Sequence, residues 1–308
     1  MPLPDDPAVA DVGKKLAEAL RSLSGPRPGI RPGHAKGILL KGVFIPSPQA
    51  KALSKAQHFN ESSTPVIARF SSSTGNSDIS DSDPRSNPRG LAIRFQLAET
   101  PRRLHTDIIA HSIDGTPGSN GEEALEFFTA LQNGTISEYI KDHPKAAHFV
   151  QLPRPFPASF AQQRHFAVNT FKFIASSGEE TFVRYRIEPA LGVQELSAEE
   201  AAAKGPNYLY GGIVEMLNKG PVQFKLTVQI AEEGDIISDP LVKWPETRKV
   251  VELGTISLVD VLNGNAAQQK YIIFDPIPRV DGVDVSDDQL LQYRAAAYLV
   301  SGLEHRNA

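Results

Sequence analysis

The most persistent pattern in the chain is an alternation of apolar and polar residues that sets in near residue 36 and returns in segment after segment. In "GLAIRFQL" Leu91, Ile93, Phe95 and Leu97 alternate with Ala92, Arg94 and Gln96; in "QFKLTVQI" Phe224, Leu226, Val228 and Ile230 alternate with Lys225, Thr227 and Gln229. A period of two marks a strand with one face on a core. Further strands are predicted at "KGILLKGVFI" (36–45), "PVIARFS" (65–71), "HTDIIAHS" (105–112), "FKF" (171–173), "TFVRYRI" (181–187) and "PVQFKLTVQI" (221–230), with turn residues between them. Many such strands predict an antiparallel barrel, closed or nearly so, because closure removes exposed edges.

Helical spacing interrupts this pattern. Asp6 before Pro7, then Val9, Val12, Leu16 and Leu20, then Gly25 predict an amphipathic N-terminal helix. The Gly- and Pro-rich "GPRPGIRPGHAKG" (25–37) predicts an extended arm, the kind of loop that carries sites. Asn120 is the predicted cap of a helix over 120–134 with Leu125, Phe128 and Leu131 on one face, and "SAEEAAAKG" reads as a short polar helix. In the last segment Ser286 and Gln289 have capping-box spacing, and Arg294, Tyr298, Ser301 and His305 fall on one polar stripe. The predicted class is α+β: an antiparallel β-barrel with flanking helices and an extended N-terminal arm. One domain is expected, with helix and arm over 1–26, barrel core over about 27–285 and a C-terminal helix over 286–306.

Composition narrows the chemistry. The 308 residues contain no cysteine, which excludes thiolate metal sites and cysteine nucleophiles, so any metal must be held by histidine, carboxylate or tyrosine. A net charge of −4 and no basic stripe interleaved with aromatics give no reason to expect nucleic acid. No segment is apolar enough to span a bilayer and no leader pattern opens the chain; cytoplasm is the default, with periplasm the alternative if a leader has been removed. Arg294 and Tyr298, one helical turn apart, admit two readings. One is a surface arginine lying over a half-buried ring; the other is an arginine that keeps the tyrosine oxygen anionic so that it can ligate a metal, since a free phenol ionises only near pH ~10.

Other segments bear on that choice. "IRPGHAKG", "ARFSSSTGN", "SNPRGLAIRF", "HFAVNTFKFIASSGEETFVRYRIEP", "PVQFKLTVQI", "DPLVKWPE", "VELGTISL" and "FDPIPRVDGVDVSDDQLLQYR" follow one another in order from about residue 27 to the C-terminus. Together with R-x-x-x-Y at Arg294 and Tyr298 they resemble the haem catalase superfamily, and the short chain resembles its minimal catalase-related peroxidase subgroup. The resemblance implies haem b as cofactor and Tyr298 as the iron ligand, with Arg294 holding it anionic. It implies His34 as the distal base that moves a proton between the peroxide oxygens, with Ser71 orienting it. Arg31 and Arg69 resemble the arginines that bind haem propionates. It is also compatible with a homodimer.

Three departures from the family pattern stand out. Where the family has D-L-V-G-N-N-T-P, "DIIAHSIDGTP" puts His111 in place of the asparagine that helps bind peroxide, either as a catalytic group or as a pocket-wall residue. Where the family has a further propionate arginine, this chain has His305, with Arg306 next to it. The chain also ends at residue 308, without the C-terminal helical region of full-length catalases, which implies an open pocket that admits larger hydroperoxides. The expected activity is a haem peroxidase that reduces organic hydroperoxides and hydrogen peroxide with an organic reductant, with weak catalase activity. The alternatives are rearrangement of fatty-acid hydroperoxides as in the allene oxide synthase branch, true catalase, and a haem-binding module without turnover. His58, His105, His143, His148 and His165 lack metal-ligand spacing and read as structural or surface residues; Phe127 and Phe128 read as helix core.

Overall fold

The computed structural model describes residues 2–25, 27 and 29–307. Eight strands close into an antiparallel barrel: β1 (Gly37–Pro46), β2 (Thr64–Ser71), β3 (Gly90–Ala98), β4 (Leu104–His111), β5 (His165–Ile174), β6 (Glu180–Pro189), β7 (Val222–Ile230) and β8 (Val250–Val261). Each pairs with the next in sequence order, and β8 returns to β1, so no barrel strand is left as an edge; β9 (Val283–Val285) pairs with β5. Alternation sorts the side chains. Leu40, Phe44, Val66, Ala68, Phe70, Leu91, Ile93 and Phe95 point inward to one aromatic-rich core. Their neighbours Arg69, Ser71, Ala92, Ile109 and His111 therefore face outward.

Four longer helices pack on the barrel and on one another, α1 (Pro7–Ser24), α2 (Gly121–Gln132), α3 (Tyr208–Leu217), which adds Leu209, Ile213 and Leu217 to the barrel core, and the C-terminal α5 (Leu290–Asn307), with the shorter α4 (Asn265–Tyr271) before it. Asp6 caps α1 by accepting from the Ala8 amide at 2.8 Å, Pro7 sits in the first turn, and Gly25 closes the helix at φ 75°. Leu16 of α1 then packs with Ala124 of α2 and with Tyr293 and Ala297 of α5. The N-terminal helix thereby holds the helix that carries Tyr298.

The structure corrects three expectations. Strand β8 was not predicted, because a register shift between Glu252 and Gly254, with Gly254 at φ 148°, breaks the alternation that marks the other strands. The buried stripe of α2 is Gly121, Ala124, Phe127 and Ala130, one residue round from the predicted face; Leu125 and Phe128 are half-buried and Leu131 is exposed. Ser286 and Gln289 form no capping box. Ser286 Oγ instead donates to the Thr170 carbonyl at 2.9 Å, and Asp288 Oδ1 accepts from the Leu290 amide at 3.0 Å at the start of α5.

His58 and His165 are fully buried, His58 among Phe44, Phe59 and Phe95 and His165 beside Phe70, and burial holds each at about 3. Both are neutral when folded, whereas in the unfolded chain they take up protons below about 6.5. Their contribution to stability is present above that value and is lost as pH falls from it toward 3. Urea denaturation between pH 7 and pH 5 is expected to show stability falling by a few kcal/mol, at ~1.4 kcal/mol per group per pH unit. His58→Phe is expected to reduce that slope by about one proton.

Candidate active site

The site residues lie on the outward face of β2, β3 and β4 and on α5, whose Arg294 is close enough for its charge to act on both His34 and His111. Ser71, Gly90, His111 and Phe166 form one cross-strand row, Ser71 opposite Gly90, Gly90 opposite His111, and His111 opposite Phe166. The last of these is the single register pair that joins β4 to β5, so the barrel closes between these two strands at His111.

His34 enters this row from the arm. It has a left-handed backbone (φ 55°), the one non-glycine residue among those described to do so. Its amide donates to the Ser73 carbonyl at 3.0 Å, and the next amide, of Ala35, donates to the Thr74 carbonyl at 2.9 Å. Its Nδ1 lies 3.0 Å from Ser71 Oγ. Gly90 makes room for the ring: a Cβ there would sit 2.6 Å from Ser71 Oγ and 2.8 Å from His34 Nδ1. His34 and His111 therefore flank the same glycine. Burial first, then the positive charge of Arg69, lowers His34 to about 3, and burial and Arg294 lower His111 to about 3, so both rings are neutral near pH 7. The Nδ1 of His111 is buried and has no hydrogen-bond partner.

The second group of residues comes from α5. Arg294, Tyr298, Ser301 and His305 are all half-buried on one stripe, as the spacing predicts. Arg294 Nε and Nη2 donate to Tyr298 Oη at 3.2 and 3.1 Å. Two residues outside the predicted set extend the chain of contacts: Arg294 Nη1 donates to Asn169 Oδ1, and Asn169 Nδ2 donates to Asp288 Oδ2 at 2.8 Å. Burial raises Asp288 to about 6. The only sequence signal for this pair is that Asp288 lies in the turn before α5; Asn169 belongs to β5 and reaches Arg294 through the fold alone.

A cationic edge completes the surroundings. Arg69 Nε donates to Gln269 Oε1 at 3.0 Å and Nη2 to the His34 carbonyl at 2.8 Å, while Arg31 Nη2 donates to the Gln269 carbonyl at 2.7 Å and the Ile272 carbonyl at 2.5 Å. Burial and mutual repulsion lower Arg69 to about 9, and burial and Arg306 lower Arg31 to about 10. His305 is lowered by burial and by the adjacent charge of Arg31, and its Nδ1 is buried without a partner. Arg306 donates to the Tyr271 carbonyl at 3.1 Å, capping α4 rather than its own helix.

These residues fit haem. The Tyr298 hydroxyl, half-buried and accepting from two N–H groups of Arg294, is an oxygen donor of the kind that suits an iron whose other ligands come from a macrocycle. Half-buried Arg31 and buried Arg69, with His305 beside them, suit the carboxylates such a macrocycle carries. His105, His143 and His148 are not part of this cluster; His143 stacks on Tyr139 with ring centroids 3.8 Å apart.

A family model described as catalase matches residues 14–101 and 116–305, and the gap between them contains His111. The catalase-related peroxidase of Mycolicibacterium paratuberculosis is 32% identical over 292 residues, covering 92% of this chain and 91% of that protein. The catalase-related peroxidase of Synechococcus elongatus is 28% identical, covering 93% and 86%. A solved bacterial catalase superposes with a TM-score of 0.78 at 23% identity, over 93% of this chain and 59% of that one, so the chain spans about three fifths of the solved catalase. Among the described residues no helix is long and apolar enough to cross a membrane. With its barrel, its Arg294–Tyr298 pair and a family match that runs through nearly all of its length, this chain belongs to the catalase family.

Proposed function

We propose that this protein is a haem b peroxidase that reduces organic hydroperoxides and hydrogen peroxide with an organic reductant and disproportionates hydrogen peroxide only weakly. The observation that carries the reading is the row Ser71–Gly90–His111, which sets a second neutral imidazole beside His34 where the family pattern has an amide. Haem, when bound, supplies the redox-active iron at which peroxide is cleaved and from which the reductant is oxidised. Tyr298 would hold it through Oη, and the two N–H donors and positive charge of Arg294 favour the anionic form of that oxygen. Arg31, Arg69 and His305 would face its carboxylates.

His34 moves the proton. Base action at Nε2 requires the Nδ1–H tautomer, with Ser71 Oγ accepting, and the 3.0 Å contact fixes the ring for it. The proton taken from the hydroperoxide is returned to the departing oxygen, which leaves as water or alcohol. Because burial and the charge of Arg69 hold His34 near 3, its ring is neutral throughout the neutral range and its Nε2 lone pair is open to a proton.

Disproportionation needs a second peroxide held beside His34 and oxidised. An asparagine amide presents its donor and its acceptor side by side on one carbon and neither titrates; His111 has a bulkier ring whose single N–H donor and single acceptor nitrogen point in different directions. The test compares oxygen release from hydrogen peroxide with dye oxidation driven by an organic hydroperoxide. In the unsubstituted protein dye oxidation is expected to dominate, and His111→Asn is expected to raise oxygen release by about tenfold or more, the scale of one positioned hydrogen-bonding group in a catalytic step. Oxygen release that already dominates without the substitution would make the protein a true catalase. Consumption of a fatty-acid hydroperoxide without any reductant would favour the rearrangement.

A further inference from the structure

Behind His34 and Ser71 lies a polar cluster that the site itself does not use. Lys36 Nζ spends all three donors there, on Asp81 Oδ1 at 2.7 Å, the Ile79 carbonyl at 2.7 Å and the Pro206 carbonyl at 3.2 Å, and it stands 4.8 Å from the centre of the Tyr210 ring. Asp81 is fully buried, and its other carboxylate oxygen accepts from the Leu209 amide at 2.9 Å. Tyr210, in the first turn of α3, donates its hydroxyl to the Lys36 carbonyl at 3.0 Å. The directions of the remaining bonds then follow. Fully buried Arg89 donates to Ser72 Oγ at 2.8 Å, and Ser72 Oγ, 3.1 Å from Tyr210 Oη, donates to it.

The cluster bears on His34 through the backbone. The Lys36 carbonyl that receives the Tyr210 hydroxyl also receives the Ser72 amide at 3.0 Å. That bond joins the short ladder in which the His34 and Ala35 amides donate to Ser73 and Thr74 to the β1–β2 pairing that begins with Gly37 opposite Ser71. Lys36 lies two residues after His34, and Ser72 immediately follows Ser71. One phenol thus ties together the two segments whose side chains meet in the His34–Ser71 hydrogen bond. A left-handed non-glycine backbone persists only where its surroundings over-determine it, and His34 has such a backbone. Burial raises Tyr210 to about 12, so its hydroxyl remains a donor across any working pH.

We infer that Tyr210 is a positioning residue for His34: its hydroxyl, bridging the Lys36 carbonyl and Ser72, holds the arm in the conformation that aims the His34 ring at Ser71. This inference rests on His34 being the base of the proposed peroxidase. The test is Tyr210→Phe, which keeps the ring and removes the hydroxyl, in the full chain loaded with haem. Amide exchange read by mass spectrometry over 30–37 and 70–76 is expected to quicken roughly tenfold, the factor for losing one buried hydrogen bond, while exchange in the barrel strands β5 to β7 stays unchanged. Cyanide association with the ferric protein, which also delivers a proton to the distal base, is expected to slow by a similar factor and to change its pH profile, with the ferric spectrum unaltered. Unchanged exchange in both segments, or exchange that rises uniformly through the barrel, would overturn the inference. Exchange needs no peroxide, so a failure of the proposed function would show separately, as an unsubstituted protein that reacts with neither cyanide nor peroxide.

Discussion

Tyr298→Phe is expected to yield a folded protein that no longer retains haem. The phenyl ring preserves the contacts that Tyr298 makes beside Leu16, Ala124, Tyr293 and Ala297, so thermal unfolding should shift little. What disappears is the oxygen that accepts from Arg294 Nε and Nη2, leaving a half-buried guanidinium with Asn169 as its remaining side-chain partner. Loss of a partner around a metal ligand typically weakens metal binding ten- to a hundredfold, and loss of the ligand itself should exceed the upper end, at more than about a hundredfold. The measurement is haem titration followed by the ferric absorption spectrum. Arg294→Ala should show the intermediate effect and a shifted spectrum. Unchanged haem affinity and spectrum in Tyr298→Phe would mean that another residue ligates the iron.

His34→Ala is expected to leave haem binding intact and to slow the reaction of the ferric protein with peroxide by about 10²- to 10⁴-fold, the range for removing a positioned acid–base group. The residue contributes its ring to Ser71 and its carbonyl to Arg69, and the alanine keeps the second of these contacts. Stopped-flow absorbance would read the rate. The pH dependence gives an independent check. Because burial and neighbouring cations hold His34 near 3, the unsubstituted protein should react at a level rate from pH 8 down to about pH 5, with no fall near 6.5 where a free imidazole titrates. A fall centred near 6.5 would show that the base is a more exposed group. His34→Gln, which can donate or accept but cannot take the proton, should be nearly as slow as His34→Ala.

Local rules accounted for the parts of this chain that depend on near neighbours. Strands β1 to β4 were legible because each has one face on the core, so alternation survives in their composition. The pairing of Arg294 with Tyr298 was legible because one turn of helix delivers it without help from elsewhere. Strand β8 was not, since its bulge at Gly254 shifts the phase of the pattern.

The barrel class, most of its strands, the helix with the Arg294–Tyr298 pair and the arm with His34 were thus set by the sequence, through period and composition. The tertiary structure decided what meets what. Only barrel closure puts Ser71, Gly90 and His111 in one row and lets the His34 ring lie over a glycine that has no side chain to obstruct it. Only packing brings Asn169 to Arg294 across 125 positions and Tyr210 to Lys36 across 174. Periodicity records the face a residue presents, but the partner across that face is chosen by the register of strands and the docking of helices, which no local pattern encodes.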